Sequence, residues 1–559
     1  MSTSTPSKRM RRTVIPVVAL AAVGAAGGAV VLAGCGGSAS AGSAPASIAG
    51  YIPASSPLYV QVSTDTAGPQ WTNLNRLGKL FPGFESMRAD VERSLSGEGI
   101  NWQKDLQPLL GDSAAVAAVE VPNGASVVQG ALTDPAAAAG RAVAKAADTP
   151  MLAVLQIAPG KSGDLKALIA KSPGGMKETG TRDGATLYAD VAAGTYGAVT
   201  DESLIIGSTE GAVNKALEAH AAGGEAALSG IFRFNNALAL LPDDVFAMAY
   251  MNLDVIGESA EEVIPQVGTL AGGQMKGAAA MSVTAQPDGL RMKAVLVDAP
   301  PMVNQKAFSP ELTAQAPADA VAYIGFNRLA DTVQTAISAA SGEASDETRK
   351  QIEALTGQLP LLLGVNADDL RNLTGGEHAV VVSGSGKEPR VALALDVANG
   401  AQATKSLTAL SRSVPLVLNQ FGSDKVKVGK TTVFADGAVK GQSIAMGDGR
   451  SLAWGVRGNL AGIGNGAGAV ASVLAPRAAG QSLGANPGFK AAMQGMPEQV
   501  TGLAYVDMAK MLPILAANGA FKGKDGASKR ADLEPVKEIA AWSTAGDTPT
   551  VEVFVGIGK

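Results

Sequence analysis

Cysteine, histidine and aromatic residues are scarce in this sequence, and each scarcity argues against a class of site. Cys35 is the sole cysteine, and His220 and His378 are the only histidines. One thiol cannot form a disulfide within the chain, and two histidines without a free cysteine argue against a zinc site. Aromatic residues make up 4% of the chain, so a carbohydrate site built on stacked rings is not favoured.

Positive charge is also absent as a concentrated patch. Lysine and arginine number 45 against 50 acidic residues, and no basic run stands out after Arg12. Nucleic-acid binding needs a concentrated basic face, so we expect no nucleic-acid partner. A hydrophobic content of 46% with 17% charged residues is ordinary for a folded protein and excludes global disorder.

The N-terminus has the order of a secretory signal. Residues 8–12 carry four basic side chains, residues 14–32 are apolar, and residues 32–35 read Leu-Ala-Gly-Cys. A cysteine directly after small residues resembles the lipobox of bacterial lipoproteins, in which the thiol is joined to diacylglycerol and the chain is cut before the cysteine. The sequence therefore predicts cleavage between Gly34 and Cys35 and lipidation of Cys35. The product would be anchored at the extracytoplasmic face of the cell membrane.

Two alternatives stay open for this segment. Residues 14–34 are nominally long enough to cross a bilayer and would then be a retained helix, although Ala, Gly and Pro16 make them only mildly hydrophobic. Arg11 and Arg12 also fit a loose twin-arginine pattern, which would mean export in the folded state. Residues 36–47 continue after the cysteine as GGSASAGSAPAS, which predicts a flexible tether over 35–47.

The rest of the chain contains an internal repeat of about 250 to 260 residues. Matched proline–tyrosine pairs recur with spacings of six and eight residues. The pairs are Pro53 and Tyr59, Pro242 and Tyr250, Pro317 and Tyr323, and Pro497 and Tyr505. The predicted organisation is a signal peptide at 1–34, a tether at 35–47, one repeat copy at 48–298, a linker at 299–315 and a second copy at 316–559.

Short apolar runs and hairpin turns without strict β-α-β alternation predict an α+β fold, with two tandem homologous domains whose mainly antiparallel sheets are packed by helices. In the first copy we predict strands at 58–63, 114–121, 152–157, 185–190, 196–199 and 204–207, and helices at 74–95, 164–171 and 210–221. A strand after Pro242, a further helix and a hairpin at Asp288-Gly289 would close the copy.

An N-terminal anchor followed by this proline-turn-strand module resembles the actinobacterial family called domain of unknown function 3352. The resemblance would cover nearly all of residues 48–559. It implies an exported, membrane-associated protein. It supplies no catalytic residues, because the family is functionally uncharacterised.

Three motifs match catalytic or cofactor-binding patterns, but the sequence around each one does not fit the site it would form. Gly480–Gly484 fits G-x-S-x-G, but both histidines precede Ser482, whereas the histidine of a nucleophile elbow comes later. Gly464–Ala469 fits a loose dinucleotide pattern, yet no first βαβ unit leads into it, so a packing turn is favoured. Gly160–Ser162 lacks the earlier glycine of a phosphate loop. We therefore expect no catalytic residues, no metal site and no cofactor.

The four matched tyrosines predict a shared role in the core, with each hydroxyl reaching a partner at a sheet end. A role in ligand binding is the alternative for them. For the whole protein, the sequence favours a non-enzymatic envelope lipoprotein that binds or carries a ligand, either an apolar small molecule or an envelope protein. A structural or protein-interaction role without a small ligand is the second hypothesis, marked by an exposed apolar patch. An enzyme built from distant carboxylates is the third.

Overall fold

The computed structural model describes residues 48–86, 88–89, 93, 101–120, 150–171, 176–257, 276–300, 306–327, 366–421, 428–446 and 449–558. The predicted signal peptide and tether, with Gly34 and Cys35, lie outside these residues. The chain divides into two compact units, residues 1–300 (unit 1) and 301–559 (unit 2). Each unit is described by itself below.

The predicted division of the α+β fold into two tandem homologous domains with sheets of their own is wrong. Hydrogen bonding assigns all twenty described strands to a single sheet. The local pattern of hydrophobic residues identifies a strand and its buried face, but it does not record which strand edges pair. That missing information is why the sequence predicted separate sheets.

The strands of unit 1 form antiparallel ladders around a central β1. Their bounds are β1 Leu58–Ser63, β2 Leu110–Ala118, β3 Met151–Ile157, β4 Lys177–Arg182, β5 Ala185–Asp190, β6 Thr195–Val199, β7 Ser203–Gly207, β8 Ala247–Asn252, β9 Ala278–Gln286 and β10 Gly289–Val297. Their order across the sheet is β4-β5-β6-β7-β3-β2-β1-β8-β9-β10. The helices are α1 Pro69–Gly78, α2 Ser162–Lys171, α3 Glu210–Ala222 and α4 Phe232–Ala239.

Most of these elements agree with the sequence pattern, and the exceptions have physical reasons. Helix α1 starts at Pro69, five residues before the predicted start, because proline fits the first turn of a helix, where its missing N–H is not needed. It ends at Gly78, 17 residues before the predicted end at 95, because Pro82 cannot continue a helix. Strand β4 was not predicted, because its sequence, KETGTR, has no apolar residue and so no alternation.

The strands of unit 2 are paired in the same way around a central β11. Their bounds are β11 Ala322–Asn327, β12 Glu377–Ser383, β13 Arg390–Asp396, β14 Val428–Asp436, β15 Val439–Met446, β16 Ser451–Arg457, β17 Leu460–Gly464, β18 Gly502–Asp507, β19 Val536–Thr544 and β20 Thr550–Ile557. Their order is β14-β15-β16-β17-β13-β12-β11-β18-β19-β20. The helices are α5 Ala367–Thr374, α6 Gly400–Phe421, α7 Ala467–Leu474, α8 Pro487–Ala492, α9 Met508–Ala517 and α10 Gly526–Leu533.

The main core of each unit lies on the sheet face that carries the matched tyrosines. In unit 1, helices α3 and α4 pack there around Tyr59 and Tyr250. In unit 2, helices α7 and α8 pack around Tyr323 and Tyr505, together with Phe308 and other side chains of residues 308–316. That part of the predicted linker therefore contributes to the core of unit 2. Within the described residues, no helix has both the length and the apolar character needed to cross a bilayer.

Candidate functional site

On the face of the unit 1 sheet opposite Tyr59, three rows of side chains across six adjoining strands are entirely apolar. Successive side chains of a strand point to opposite faces, so the register of β3, β2, β1, β8, β9 and β10 places three rows of side chains there. The rows are Met151, Ala118, Leu58, Met251, Ala279 and Leu296; Ala153, Val116, Val60, Ala249, Met281 and Ala294; and Leu155, Ala114, Val62, Ala247, Val283 and Met292. We call this surface the unit 1 apolar face.

Part of the unit 1 apolar face is covered and part is open. Leu165 and Ile169 of α2 pack in one cluster with Ala114 and Leu155, at the corner formed by β2 and β3. Toward the other side of the face, Met251 and Met281 remain 37% and 39% exposed. Exposed apolar side chains that join a continuous apolar surface indicate a binding surface, whereas isolated ones do not.

Unit 2 has the corresponding surface, the unit 2 apolar face. Its rows cross β13, β12, β11, β18, β19 and β20 on the side opposite Tyr323. The rows are Val391, Val382, Ala322, Val506, Ile539 and Val555; Leu393, Val380, Ile324, Ala504, Ala541 and Val553; and Leu395, His378, Phe326, Gly502, Ser543 and Val551. Within these rows, only His378 and Ser543 have polar side chains.

The unit 2 apolar face is also partly open. Ile324, Val391 and Val551 are 49%, 38% and 45% exposed. Leu373 of α5 and Leu407 of α6 pack in one cluster with Leu395 and so cover the corner at β13. The open part thus presents β-branched side chains, which are stiff at χ1, where unit 1 presents flexible methionines.

His378 is a structural residue of this face. Its ring is fully buried and stacks on Phe326 with centroids 5.6 Å apart. Nε2 lies 3.1 Å from the carbonyl oxygen of Leu373. Burial lowers the pKa of the imidazole, because the charged form is poorly solvated there. The neutral ring therefore joins α5 to β12, in which His378 is the second residue.

The four matched tyrosines lie on the sheet faces opposite the two apolar faces, and their burial confirms the predicted role in the core. Tyr59 and Tyr250 are directly opposite each other on β1 and β8, as Tyr323 and Tyr505 are on β11 and β18. All are at most 3% exposed. The Tyr59 hydroxyl donates a hydrogen bond to Oε1 of Gln61 at 2.5 Å. Burial raises the pKa of all four hydroxyls, so they remain protonated donors at neutral pH.

The polar partner in unit 2 is a buried carboxylate that the sequence did not indicate. Glu377, at the start of β12, is 8% exposed. Its Oε2 accepts the backbone N–H of Leu312 at 2.9 Å, and its Oε1 accepts the Tyr323 hydroxyl at 3.2 Å. Burial raises the pKa of Glu377 to about 7, and the nearby carboxylate of Glu311 acts in the same direction. Glu377 thus fixes residues 311–314 against the sheet.

The three motifs that resemble catalytic or phosphate-binding patterns lie at turns or next to helix starts in the structure. Ser482 precedes a short 3-10 turn and bridges to Pro317, so no strand leads into it as in a nucleophile elbow. Gly464 ends β17 just before α7, and a Cβ there would lie 2.9 Å from the Cβ of Ala469, which makes this a packing turn. Lys161 forms an ion pair with Asp164 at 2.8 Å.

His220 lies in the last turn of α3, where the sequence placed it. Its ring stacks on Tyr51 with centroids 3.9 Å apart. Across the described residues, no three His, Cys, Asp or Glu side chains are grouped as a metal site would require.

The open apolar residues were present in the sequence but could not be singled out there. Strand β3 reads MLAVLQI, which predicts a strand buried on both faces. A run that is apolar on both faces does not reveal which face the rest of the chain leaves open. The pairing register supplies this information, because it brings the outward residues of six strands into one surface.

Comparisons with known proteins bear on identity. A family model described as a protein of unknown function, DUF3352, matches residues 13–550. No curated protein matches. Solved structures titled crystal form III and crystal form IV of TP0453 are similar at 11% sequence identity. The matches cover 46% of this chain and 80% and 83% of those chains, with TM-scores of 0.24 and 0.23, so they carry no argument.

Proposed function

The chain belongs to the DUF3352 family, whose description assigns no activity, and we propose that it is an exported envelope lipoprotein that binds apolar ligands without catalysing a reaction. The anchor is part of the proposal and rests on Leu32-Ala33-Gly34-Cys35 after a basic and apolar leader. An actinobacterial source is likewise part of it, through the family resemblance.

One observation carries the binding role: an apolar sheet surface whose outward side chains remain partly exposed. Met251 and Met281 in unit 1 and Ile324, Val391 and Val551 in unit 2 are all on these faces. Water in contact with such a surface is released when an apolar molecule covers it, which favours binding. None of these five exposed side chains can act as an acid or a base, so they support binding rather than catalysis.

The test uses an uncharged apolar dye, N-phenyl-1-naphthylamine, whose fluorescence rises when it leaves water. The protein is the full chain carrying Cys35→Ser, so that no attached lipid competes. We expect saturable binding that weakens at least tenfold when Met251→Lys, Met281→Lys, Ile324→Lys and Val551→Lys are combined.

The control also introduces lysines, on two apolar side chains that are exposed away from the two faces. Val191 follows β5 and Phe232 begins α4 on the opposite side of the unit 1 sheet, and they are 78% and 83% exposed. Val191→Lys with Phe232→Lys should leave dye binding unchanged. Equal binding by the face variant and the parent protein would refute the proposal.

A further inference from the structure

We infer that the unit 1 apolar face binds a single long acyl chain, such as that of a free fatty acid. This inference rests on the proposed binding of apolar ligands to the sheet faces and names the ligand class for one of them. The argument uses the size of the face, its lack of polar groups and the side chains at its open side.

The size of the unit 1 apolar face suits a hydrocarbon chain. Six strands about 4.8 Å apart span about 24 Å, and three rows along a strand span about 14 Å. One leaflet of a bilayer core, which is the length of a lipid chain, is about 15 Å thick. In the third row, Leu155, Ala114, Ala247 and Val283 are at most 7% exposed, so the open part lies in the first two rows. These rows run about 24 Å across the six strands, and an acyl chain can therefore lie on them across the strands.

The same dimensions argue against a protein partner. The whole face measures about 330 Å², and a stable protein interface needs about 800 Å² from each partner. Helix α2 already covers the corner with Ala114 and Leu155, so the open area is smaller still. A second copy of this chain would gain too little apolar contact on this surface alone.

The chemistry of the face excludes ligands that need hydrogen bonds. Every side chain in its three rows is Ala, Val, Leu or Met, and the backbone groups of its inner strands are used in the sheet ladders. A peptide, a sugar or a nucleotide would lose its hydrogen bonds to water here without replacement. An acyl chain has no such groups over its length, and its carboxylate can stay in water at the rim.

The side chains at the open side distinguish unit 1 from unit 2. Met251 and Met281 are unbranched and can adapt to a flexible chain. The unit 2 apolar face instead exposes Ile324 and Val551, which are stiff at χ1, and His378 lies in one of its rows. We therefore assign the acyl chain to unit 1.

The experiment measures binding of cis-parinarate, a fluorescent fatty acid, to the full chain carrying Cys35→Ser, with displacement by palmitate. We expect saturable binding, displaced by palmitate, that weakens at least tenfold in Met251→Lys with Met281→Lys. Met251→Leu with Met281→Leu should bind within twofold of the parent protein. Val191→Lys with Phe232→Lys, which introduces two lysines in unit 1 away from the face, should bind like the parent. Ile324→Lys with Val551→Lys, the corresponding change in unit 2, should weaken binding less than the unit 1 pair.

Folding of each variant is checked by circular dichroism. If the lysine pair does not fold, Met251→Gln with Met281→Gln replaces it, because glutamine keeps the length of methionine without its apolar end. Weakening by the unit 2 pair instead of the unit 1 pair would overturn the assignment.

Two other results separate this inference from the proposed function. Binding of N-phenyl-1-naphthylamine without binding of cis-parinarate overturns the acyl-chain inference and leaves the proposed function standing, whereas binding of neither overturns both. Flotation with phosphatidylcholine vesicles without binding of dispersed cis-parinarate also overturns it, because the face would then dock on a bilayer.

Discussion

The hydroxyl of Tyr323 donates a hydrogen bond to the buried carboxylate of Glu377, whereas the equivalent hydroxyl of unit 1, on Tyr59, donates to the amide oxygen of Gln61. The two units therefore differ in whether the tyrosine partner can ionise. An amide stays neutral at every pH, but the buried carboxylate of Glu377 must take up or release a proton near neutrality.

The folded protein should become less stable as the pH rises, because Glu377 loses its proton. Its pKa is raised by burial from 4.5 to about 7, so the folded state favours the protonated form. The stabilisation is complete below the unfolded pKa and is lost as the pH rises through about 7, by about 3 kcal/mol in all. Urea unfolding of the full chain at pH 5 and pH 8 should show this loss in the parent protein and little of it in Glu377→Gln.

The control for this prediction removes the same charge at an exposed site. Glu498 is an exposed glutamate of unit 2, and Glu498→Gln should keep the pH dependence of the parent protein. If Glu377→Gln lost as much free energy of unfolding between pH 5 and pH 8 as the parent protein, the pH dependence would not come from Glu377.

Gly277 should tolerate no side chain. Its φ is +87°, and a Cβ would lie 2.2 Å from the carbonyl oxygen of Val297. We expect Gly277→Ala to cost about 2–3 kcal/mol, because a left-handed conformation and a backbone clash combine. Gly437 also has a positive φ, +56°, but open space around it, so Gly437→Ala should cost about 1 kcal/mol. Thermal unfolding of both variants separates the clash from the dihedral cost, and equal losses would exclude the clash.

Arg233 should stabilise unit 1 through two carboxylates. It pairs with Asp254 and, at 3.0 Å, with Asp298, while Asp254 Oδ1 also accepts the N–H of Gly277 at 2.8 Å. Burial acts to raise the pKa of Asp254, but these contacts lower it overall. Because the carboxylates are partly exposed, we expect Arg233→Met to cost only about 1 kcal/mol. The loss should shrink in about 1 M salt, which screens exposed charges.

The comparison for Arg233 is a single, more exposed ion pair of the same unit. Lys215 and Glu120 are 2.8 Å apart, with side chains 49% and 57% exposed. Lys215→Met should change the free energy of unfolding by at most about 0.5 kcal/mol. If Arg233→Met and Lys215→Met lose the same free energy of unfolding, the second carboxylate adds nothing to the stabilisation by Arg233.

Cys35 should carry the lipid. Replacing its thiol removes the only atom to which diacylglycerol could be joined, so Cys35→Ala should lose palmitate label and leave the lipid-anchored fraction. Metabolic labelling followed by membrane fractionation measures both. A variant that stays in the membrane and incorporates as much label as the parent protein would show that the lipobox interpretation is wrong.

The sequence predicted strands well where one face is buried. In β1, residues 58–63 alternate between half-buried and buried side chains, and the predicted bounds agree with the structure. It failed where the pattern is absent, as in β4. It also failed for pairing across the sheet, since the twenty strands form one sheet. Edges of strands pair through backbone groups, which are the same in every sequence.

The candidate site was less accessible to prediction than the fold. Met251 and Met281 are separated by 30 residues, and only the register of β8 with β9 brings them onto one surface. Glu377 opens a strand in sequence and looks like a solvated charge. Its burial depends on Leu312 and Tyr323, which reach it from elsewhere in unit 2.

Over the six strands of the unit 1 apolar face the polarity is the reverse of the usual one. The core face carries the buried polar side chains Gln61, Ser63 and Ser282, and the three rows of the outer face carry no polar side chain. If a strand slipped by one residue during folding, apolar side chains would still meet apolar side chains on both faces, so hydrophobic burial alone corrects such an error weakly. The slip would, however, separate Tyr59 from its place opposite Tyr250 and move Gln61 to the outer face. The hydrogen bond from Tyr59 to Gln61 lies within β1 and would move with that strand. The edge-on packing of Phe234 against both Tyr59 and Tyr250 therefore selects the correct alignment of the strands.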